Sequence, residues 1–250
     1  MSGKKNEFQK AEKDLESRNR KRRIVVFSSV IVIVLIAAVI AMIYRGQLER
    51  EAKPQKKQAT HRTEQATAIN YNGQPFIGSS NAPVKVVEFA DYRCPYCKQF
   101  EENVVPQLEK NYIDTNKISL YFINYTILGP GSQLAANAAE EVFHQNPKAF
   151  WAFHDALFKA QGDENSEWVT KQLLTDIAKR TVPSLDLKAF QNALDTESNK
   201  NVIARDNQMA EELGVPGTPT VFVNGTMIDG AQDYTVLKQA IDQALNNNKQ

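Results

Sequence analysis

VKVVEFADYRCPYC, residues 84–97, is the stretch of sequence that decides the fold, because a strand pattern turns into the start of a helix within it. Val84–Ala90 is rich in β-branched and aromatic residues, which predicts a mostly buried strand. Pro95 suits the first turn of a helix, where its missing N–H would have no intrahelical partner. Cys94 and Cys97, the only two cysteines, are therefore predicted at a helix N-terminus.

The chain beyond this stretch continues with strand and helix patterns. Lys117–Ile123 is predicted as a second strand, and the β-α-β crossover makes it a parallel neighbour of the first. After the break at residues 129–131, Gly-Pro-Gly, apolar positions recur every three or four residues, as amphipathic helices require. They predict five helices, at Ser132–Gln145, Pro147–Gln161, Ser166–Arg180, Leu187–Asp195 and Asn199–Leu213.

The C-terminal part returns to the strand pattern. Pro219–Val223 and Thr226–Ile228 flank an Asn-Gly pair, which predicts a hairpin. A last helix is predicted at Tyr234–Leu245, where its apolar side would cover the sheet. The predicted fold class is α/β, with an all-helical subdomain inserted at about residues 130–213.

Residues 24–44 form an apolar segment of 21 positions without a charge. A helix of that length reaches roughly 31 Å, enough to cross a bilayer. A cleavable signal peptide is the nearest alternative, but its apolar part is usually only about 7–15 residues long and ends at an Ala-x-Ala site, which is missing here. An uncleaved transmembrane signal anchor is the favoured interpretation.

The charge distribution predicts how this anchor is oriented. Residues 1–23 hold nine Lys/Arg and four Asp/Glu, and such a basic tail stays cytoplasmic. Residues 45–74 are polar and predict a flexible linker, so residues 75–250 become an extracytoplasmic domain on a single-pass membrane protein. That part of the chain has no basic stripe, which argues against nucleic acid as a partner.

The Cys-x-x-Cys spacing indicates thiol-disulfide exchange. The N–H groups at a helix N-terminus stabilise a Cys94 thiolate, and Cys97 lies one turn further on, where it can resolve a mixed disulfide. A zinc site is less favoured, since zinc takes four ligands and the chain adds only three histidines. A structural disulfide is also less favoured, because so small a loop restrains little chain entropy. No cofactor is expected beyond the redox-active disulfide.

Two further features are candidates for the site. Glu88 is a carboxylate inside the apolar strand, where burial would raise its pKa and let it carry a proton. The alternative, an edge-strand glutamate that faces water, stays open. Pro219 opens a strand, and a cis Thr218-Pro219 bond would turn the Thr218 backbone outward to pair with an extended peptide. An ordinary trans loop is the alternative there.

Residues 82–97 and 214–225 together resemble membrane-anchored DsbA-like thiol:disulfide oxidoreductases of the thioredoxin superfamily, and the similarity covers about residues 75–250. The resemblance implies a thioredoxin fold with an inserted helical domain. It also implies roles for five residues: Cys94 as the exposed nucleophile, Cys97 as the resolving thiol, Glu88 as the buried acid, Pro219 as the cis-proline that faces the disulfide, and Thr218 as a contact for substrate.

The function expected from this resemblance is a monomeric dithiol oxidase that introduces disulfide bonds into reduced exported polypeptides and is reoxidised by a membrane thiol oxidase. A reductase or isomerase that uses the same cysteines is one alternative, and a tethered chaperone-like binding module is another. Tyr96 departs from the best-known oxidants of the family, which carry His there. A phenol supplies no positive charge to the thiolate, which leaves the reduction potential open.

Overall fold

A computed structural model describes residues 69–248 of the chain. Its strands are β1 (Phe76–Gly78), β2 (Val84–Ala90), β3 (Ile118–Asn124), β4 (Thr220–Val223) and β5 (Thr226–Ile228). Its α-helices are α1 (Pro95–Asn103), α2 (Val105–Leu108), α3 (Pro130–Gln145), α4 (Phe150–Lys159), α5 (Lys171–Thr181), α6 (Leu187–Thr196), α7 (Lys200–Glu212) and α8 (Tyr234–Asn247).

The five strands form one mixed sheet in the order β1-β3-β2-β4-β5. β2 lies at the centre, parallel to β3 and antiparallel to β4, while β1 and β5 pair antiparallel at the two edges. The predicted β-α-β unit and hairpin are both present. β1 was not predicted, because three residues are too few to show an alternating pattern.

The helix that begins after Cys94 is short. α1 ends at Asn103, and α2 begins at Val105. The reason is Pro106, which has no N–H to donate to the carbonyl one turn earlier and whose ring crowds that carbonyl. A π-helical turn at Glu109–Ile113 follows and buries Tyr112 and Ile113 before β3 begins.

The sheet is covered on both faces. One face buries Val86, Leu120 and Val221 in a cluster with Phe100 of α1 and Leu237 of α8. The opposite face buries a second cluster, which includes Val87, Phe89, Phe222 and, from α7, Ala210. Because β2 contributes to both clusters, a polar side chain in this strand contacts water only if it extends past a covering helix.

The folded part of the chain begins earlier than the predicted linker boundary at residue 74. Ile69 is buried, and Tyr71 packs edge-on against Tyr121 of β3. Gln74 is buried too and donates a hydrogen bond from Nε2 to Asp206 Oδ1 at 2.7 Å. Ile69 and Tyr71 account for the difference. Their side chains pack on the sheet, although the surrounding sequence is mostly polar and did not predict this.

The inserted helices α3 to α6 bury a large aromatic cluster that also contains Tyr92 and Cys97. One predicted helix begins later than expected: α5 starts at Lys171, where the Thr170 side chain accepts a hydrogen bond from the Leu173 N–H. Within residues 69–248 no helix combines the length and the apolar character that crossing a bilayer requires. The predicted span at residues 24–44 lies outside the described residues.

Candidate active site

Cys94 occupies the N-cap position of α1, with extended backbone angles. Its sulfur lies 3.3 Å from the Thr218 backbone oxygen, and the Thr218-Pro219 peptide bond is cis. A hydrogen bond from the Cys97 thiol is the main cause that lowers the pKa of Cys94 to about 6; a bond from the Thr218 side chain and the Cys97 and Tyr96 backbone N–H groups add to it, against the effect of burial. Cys94 is therefore mostly a thiolate at neutral pH.

Cys97 lies one turn further into α1 and is completely buried. Burial raises its pKa well above the usual range, and the hydrogen bond that it gives to Cys94 and the negative charge of Glu88 raise it further. The two sulfurs thus differ in the expected sense. Cys94 itself is only 5% exposed, less than the expected exposed nucleophile, because the Thr218 segment lies against its sulfur.

Tyr96 points into solvent and is 59% exposed. Its backbone N–H is one of the groups that lower the pKa of Cys94, whereas its phenol makes no recorded contact with the sulfur. The thiolate is thus stabilised by helix N–H groups, by the Cys97 thiol and by Thr218. A positive side chain between the two cysteines is not required for a pKa near 6.

Glu88 is 1% exposed at the centre of the sheet, opposite Phe122 of β3 and Val221 of β4. The alternative of an edge-strand glutamate facing water is therefore wrong. Burial raises its pKa well above the usual range, and the charge and hydrogen bond of the Glu101 carboxyl raise it further, as does the charge of Cys94. Glu88 is thus a buried acid with a raised pKa, close enough to the two cysteines for its charge and theirs to act on one another.

Glu101 was missed by the sequence reasoning. It belongs to α1, four residues after Cys97, and this spacing places both on one face of the helix. Its side chain is 6% exposed, and its Oε1 atom lies 3.0 Å from Nε2 of His154, which is completely buried in α4. The i, i+4 relation to Cys97 is the signal that could have identified it.

His154 connects Glu101 to a third element of the fold. Its Nδ1 atom lies 2.9 Å from the hydroxyl of Tyr92, in the loop between β2 and α1. Phe122, Phe150 and Phe158 pack around the imidazole with ring centroids 4.6–5.4 Å away. The sequence showed His154 only as one of three histidines, because its partners are far away along the chain. The result is a buried polar chain from Glu88 through Glu101 and His154 to Tyr92.

The loop before Cys94 is fixed by the Asp91 carboxylate. Its Oδ1 atom accepts the Arg93 N–H at 2.8 Å, and its Oδ2 atom accepts the N–H groups of Ile127 and Leu128 at 2.9 and 3.0 Å. The side chains of Ile127 and Leu128 are 45% and 37% exposed. Asp91 therefore holds two exposed apolar side chains beside the segment that leads into Cys94.

The helical insertion is joined to the same loop by Arg93 and Gln161. The Arg93 guanidinium donates to the backbone oxygens of Leu128, Glu164 and Ser166 at 2.7, 2.8 and 3.0 Å. Gln161 donates from Nε2 to the Tyr92 and Cys94 carbonyls at 2.8 and 3.0 Å. These bonds fix the start of α1 with a precision that a free loop would lack.

Within the described part of the chain, one group of side chains has a spacing that could hold a metal ion: Glu101, His154 and Asp155, whose ligand atoms lie within 4.8 Å of one another. His154 Nε2 already faces the Glu101 carboxylate in this group. Thiol-disulfide exchange requires no metal, since the two sulfurs carry the electrons.

Comparisons with known proteins agree with this geometry. The family model described as thioredoxin matches residues 70–243. A probable disulfide bond formation protein D of Bacillus anthracis is 39% identical over 175 residues, covering 70% of this chain and 80% of that protein. The crystal structure of oxidised BdbD from Bacillus subtilis superposes with a TM-score of 0.69 at 38% identity, over 71% of this chain and 95% of that one.

A more distant structure shows the same fold. DsbA of Chlamydia trachomatis superposes with a TM-score of 0.65 at 22% identity and covers 74% of this chain and 97% of its own. At that level of identity the likeness concerns the fold alone. Both comparisons support the arrangement of a thioredoxin-type sheet with helices inserted after β3.

Proposed function

The chain belongs to the thioredoxin family and, within it, to the disulfide bond formation proteins, and from this premise we propose that Cys94 and Cys97 oxidise pairs of cysteine thiols in exported polypeptides. One observation carries the direction of the reaction. The pKa of Cys94 is lowered to about 6, while that of Cys97 is raised. A stabilised thiolate favours the reduced pair, and a pair that prefers to be reduced is a strong oxidant.

The proposed reaction has two exchange steps. A substrate thiolate attacks the Cys94 sulfur, the Cys94–Cys97 bond breaks, and Cys97 leaves with the electron pair. Glu88 gives its proton to the Cys97 thiolate, which the high pKa of that buried thiol favours. A second substrate thiolate then attacks the substrate sulfur of the mixed disulfide, and Cys94 leaves as a thiolate. The substrate loses two electrons, and the pair ends reduced with one proton on Cys97.

Thr218 and Pro219 are proposed to position the substrate. The cis peptide bond between them lies against the Cys94 sulfur, before the first residue of β4. Thr218 precedes β4 and its carbonyl oxygen faces the Cys94 sulfur, so its backbone N–H is the group proposed to pair with an extended polypeptide, as an added strand would. Ile127 and Leu128 provide exposed apolar contacts on the segment that Asp91 holds beside Cys94.

The test of the oxidase function uses the full-length protein in detergent micelles. The oxidised protein is mixed with a reduced, unfolded protein that contains several cysteines, and disulfides are counted by thiol labelling. Wild type should form them in proportion to the protein added. Cys97→Ser and Cys94→Ser, neither of which can form the Cys94–Cys97 disulfide, should both be inactive. Activity of Cys94→Ser equal to wild type would falsify the proposal.

The same mixture distinguishes an oxidase from a reductase or isomerase. Equilibration with glutathione measures the reduction potential, and the opposite pKa shifts of the two cysteines lead us to expect a value well above that of thioredoxin, about −270 mV. A value at or below that of thioredoxin would favour the reductase. Binding of unfolded protein that survives in a Cys94→Ser, Cys97→Ser double variant, without any redox activity in wild type, would instead indicate a chaperone-like module.

The location is proposed from the N-terminal sequence. We propose that residues 24–44 anchor the chain in the membrane with residues 1–23 in the cytoplasm, so that the folded domain faces the oxidising side and a membrane thiol oxidase can reoxidise it. The 21 uncharged positions and the basic tail support this. Protease added outside intact protoplasts should digest the domain and spare a tag on residue 1; the reverse pattern would exclude the orientation.

A further inference from the structure

Glu101, His154 and Asp155 bring one imidazole nitrogen and two carboxyl groups together where α1 packs against α4. Each residue offers one ligand atom, and the three atoms lie within 4.8 Å of one another. Glu101 belongs to α1 and the other two are neighbours in α4, so the group forms only when the insertion packs against α1. Nitrogen and oxygen ligands in such a combination suit divalent ions of intermediate softness, such as zinc.

The two buried atoms of this group lack aligned hydrogen bonds. The His154 side chain is completely buried, and that of Glu101 is 6% exposed. Glu101 Oε1 and His154 Nε2 lie 3.0 Å apart, yet neither atom has a hydrogen-bond partner of good geometry within residues 69–248. Buried polar atoms are nearly always paired, so two that face each other without an aligned bond are unusual. An ion bound by both atoms would satisfy both.

The distance between these atoms suits two ligands of one ion. Bonds of about 2.1 Å to a zinc-sized ion place neighbouring ligand atoms about 3.0 Å apart in an octahedral site and about 3.4 Å apart in a tetrahedral one. The observed 3.0 Å therefore needs little or no opening. Asp155 is exposed, so its carboxyl group can turn toward the ion, and the ion can enter from solvent on that side. Water completes the coordination of such open sites.

The charge around this group is negative. Burial raises the pKa of Glu109, and the charges of Asp155, Asp114 and Glu101 raise it further. No lysine or arginine forms an ion pair with Glu101 or Asp155 in the part of the chain that the structure describes. Lys159, one turn after Asp155 in α4, acts on that carboxyl group through its charge alone. A divalent cation would therefore be attracted to carboxylates that no ion pair compensates.

Tyr92 supports the imidazole of His154 from its other nitrogen. The Tyr92 hydroxyl lies 2.9 Å from Nδ1. An ion on Nε2 leaves the ring proton on Nδ1, where the Tyr92 oxygen can accept it, and metal-binding histidines usually donate their second N–H in this way. The rings of Phe122, Phe150 and Phe158 pack around the imidazole and restrict its rotation. The imidazole is thus held in place before an ion arrives.

We propose that Glu101, His154 and Asp155 bind a divalent transition-metal ion, with zinc as the first candidate. The ion joins α1, the helix of the redox pair, to the helical insertion, and it stabilises their packing. The site uses no thiol, so it differs from a zinc site at the Cys-x-x-Cys pair and is independent of the oxidase function. Calcium and magnesium prefer oxygen ligands alone, so the nitrogen of His154 discriminates against them.

The test measures zinc binding to the full-length protein in detergent micelles, with the Cys94–Cys97 disulfide formed so that no thiol can bind the ion. Metal is first removed with a chelator. Zinc is then titrated against a chromogenic competitor in excess calcium, which occupies sites made of oxygen ligands alone. Wild type should bind one zinc ion per chain, and its unfolding temperature should rise with the zinc concentration.

Four variants test the ligands. His154→Phe keeps an aromatic ring in the cluster but removes the nitrogen, and zinc affinity should fall by about a hundredfold. Asp155→Asn changes an exposed position, so the fold is kept, and affinity should fall by about tenfold. Glu101→Gln should also weaken binding. Glu102→Gln is its matched control, because it removes the same charge one position further along α1 and lies outside the group, so affinity should stay at the wild-type value.

The other two histidines of the chain, His61 and His144, are replaced by Gln in further controls, and both variants should bind zinc as wild type does. The proposal would be overturned by a wild type that binds no zinc in excess calcium, or by equal affinity in wild type, His154→Phe and Asp155→Asn. Either result would leave the oxidase proposal intact. Zinc binding as expected, in a protein that oxidises no substrate, would overturn only the oxidase proposal.

Discussion

The Thr218 backbone oxygen lies 3.3 Å from the Cys94 sulfur, although the two residues are 124 positions apart in the chain. The contact joins the residues just before β4 to the start of α1, at the end where the neighbouring antiparallel strands β2 and β4 meet. It also involves the Thr218 side chain, whose hydrogen bond helps to lower the pKa of Cys94 to about 6. The Thr218 segment, which is proposed to bind substrate, therefore also stabilises the Cys94 thiolate that is released when the substrate disulfide forms.

Thr218→Val should raise the pKa of Cys94, because it removes the hydroxyl and keeps the shape of the side chain. One hydrogen bond to a charged sulfur corresponds to about one pKa unit. The thiolate absorbance near 240 nm, followed during a pH titration of the reduced protein, measures the change. Thr226→Val, in exposed β5, is the control and should leave the titration in place. An unchanged Cys94 pKa in Thr218→Val would show that the Thr218 hydroxyl does not stabilise the thiolate.

Tyr96→His should make the protein a stronger oxidant. The imidazole would sit on the first turn of α1 in a position where a positive charge favours the Cys94 thiolate. We expect the pKa of Cys94 to fall below its value of about 6. Each unit of that fall should move the reduction potential upward by about 30 mV at neutral pH. Equilibration with glutathione buffers gives the potential, and Tyr96→Phe, which adds no charge, should behave as wild type.

The reduced form should gain stability over the oxidised form as the pH rises. The folded-state pKa of Cys94, about 6, is depressed below its ordinary value of 9.0. The contribution of the Cys94 thiolate to the free energy of unfolding is therefore complete above pH 9 and is lost as the pH falls through 6. At pH 8 it amounts to about 3 kcal/mol, and at pH 5 it is close to zero.

Urea unfolding of the reduced and oxidised proteins from pH 5 to 8 measures this difference directly, since groups common to both forms cancel. In Cys94→Ser, compared under reducing conditions, the rise with pH should be missing. A difference between the two forms that stays constant over this range would show that the thiolate adds nothing to folding, and with it the basis for a strong oxidant would fall.

The parts of the site that could be predicted from the sequence are those that depend on residues adjacent in the chain. The strand before Cys94, the proline that opens α1 and the Asn-Gly hairpin depend on local backbone preferences, and each is present. The expected burial of Glu88 followed from its apolar neighbours in one strand. The folded fragment at residues 69–74 was missed, because isolated apolar residues among polar ones show no periodicity.

The polar chain behind the disulfide could not be predicted in the same way. Tyr92 and His154 are 62 positions apart, and they meet only because α4 packs over the loop before α1. No local pattern in either segment indicates the other. Glu101 was accessible to sequence reasoning through its spacing from Cys97, but the burial of its carboxyl depends on β2 and α4 together.

The protein should become less stable as the pH rises toward 8, apart from any redox change, because of a buried carboxyl group away from the disulfide. Glu140 of α3 accepts a hydrogen bond from Asn124 Nδ2 at 2.8 Å. Burial, and then the charge of Asp206, raises its pKa to about 8. Because the pKa is raised, the contribution of the Glu140 carboxyl to the free energy of unfolding is complete below pH 4.5 and is lost as the pH rises through 8.

Glu140→Gln keeps an oxygen for Asn124 and removes the carboxyl that must ionise, so it should unfold at higher urea concentration than wild type at pH 8 and at nearly the same concentration at pH 5. The comparison is made in the oxidised form and in metal-free buffer, so that neither the thiolate nor a bound cation contributes. Glu141→Gln, one position further along α3, removes the same charge and serves as the control. Because the side-chain oxygens of Glu141 already accept bonds from Gln145 and Asn199, its substitution should give no gain at pH 8. Equal gains in both variants would point to net charge rather than to the buried carboxyl of Glu140.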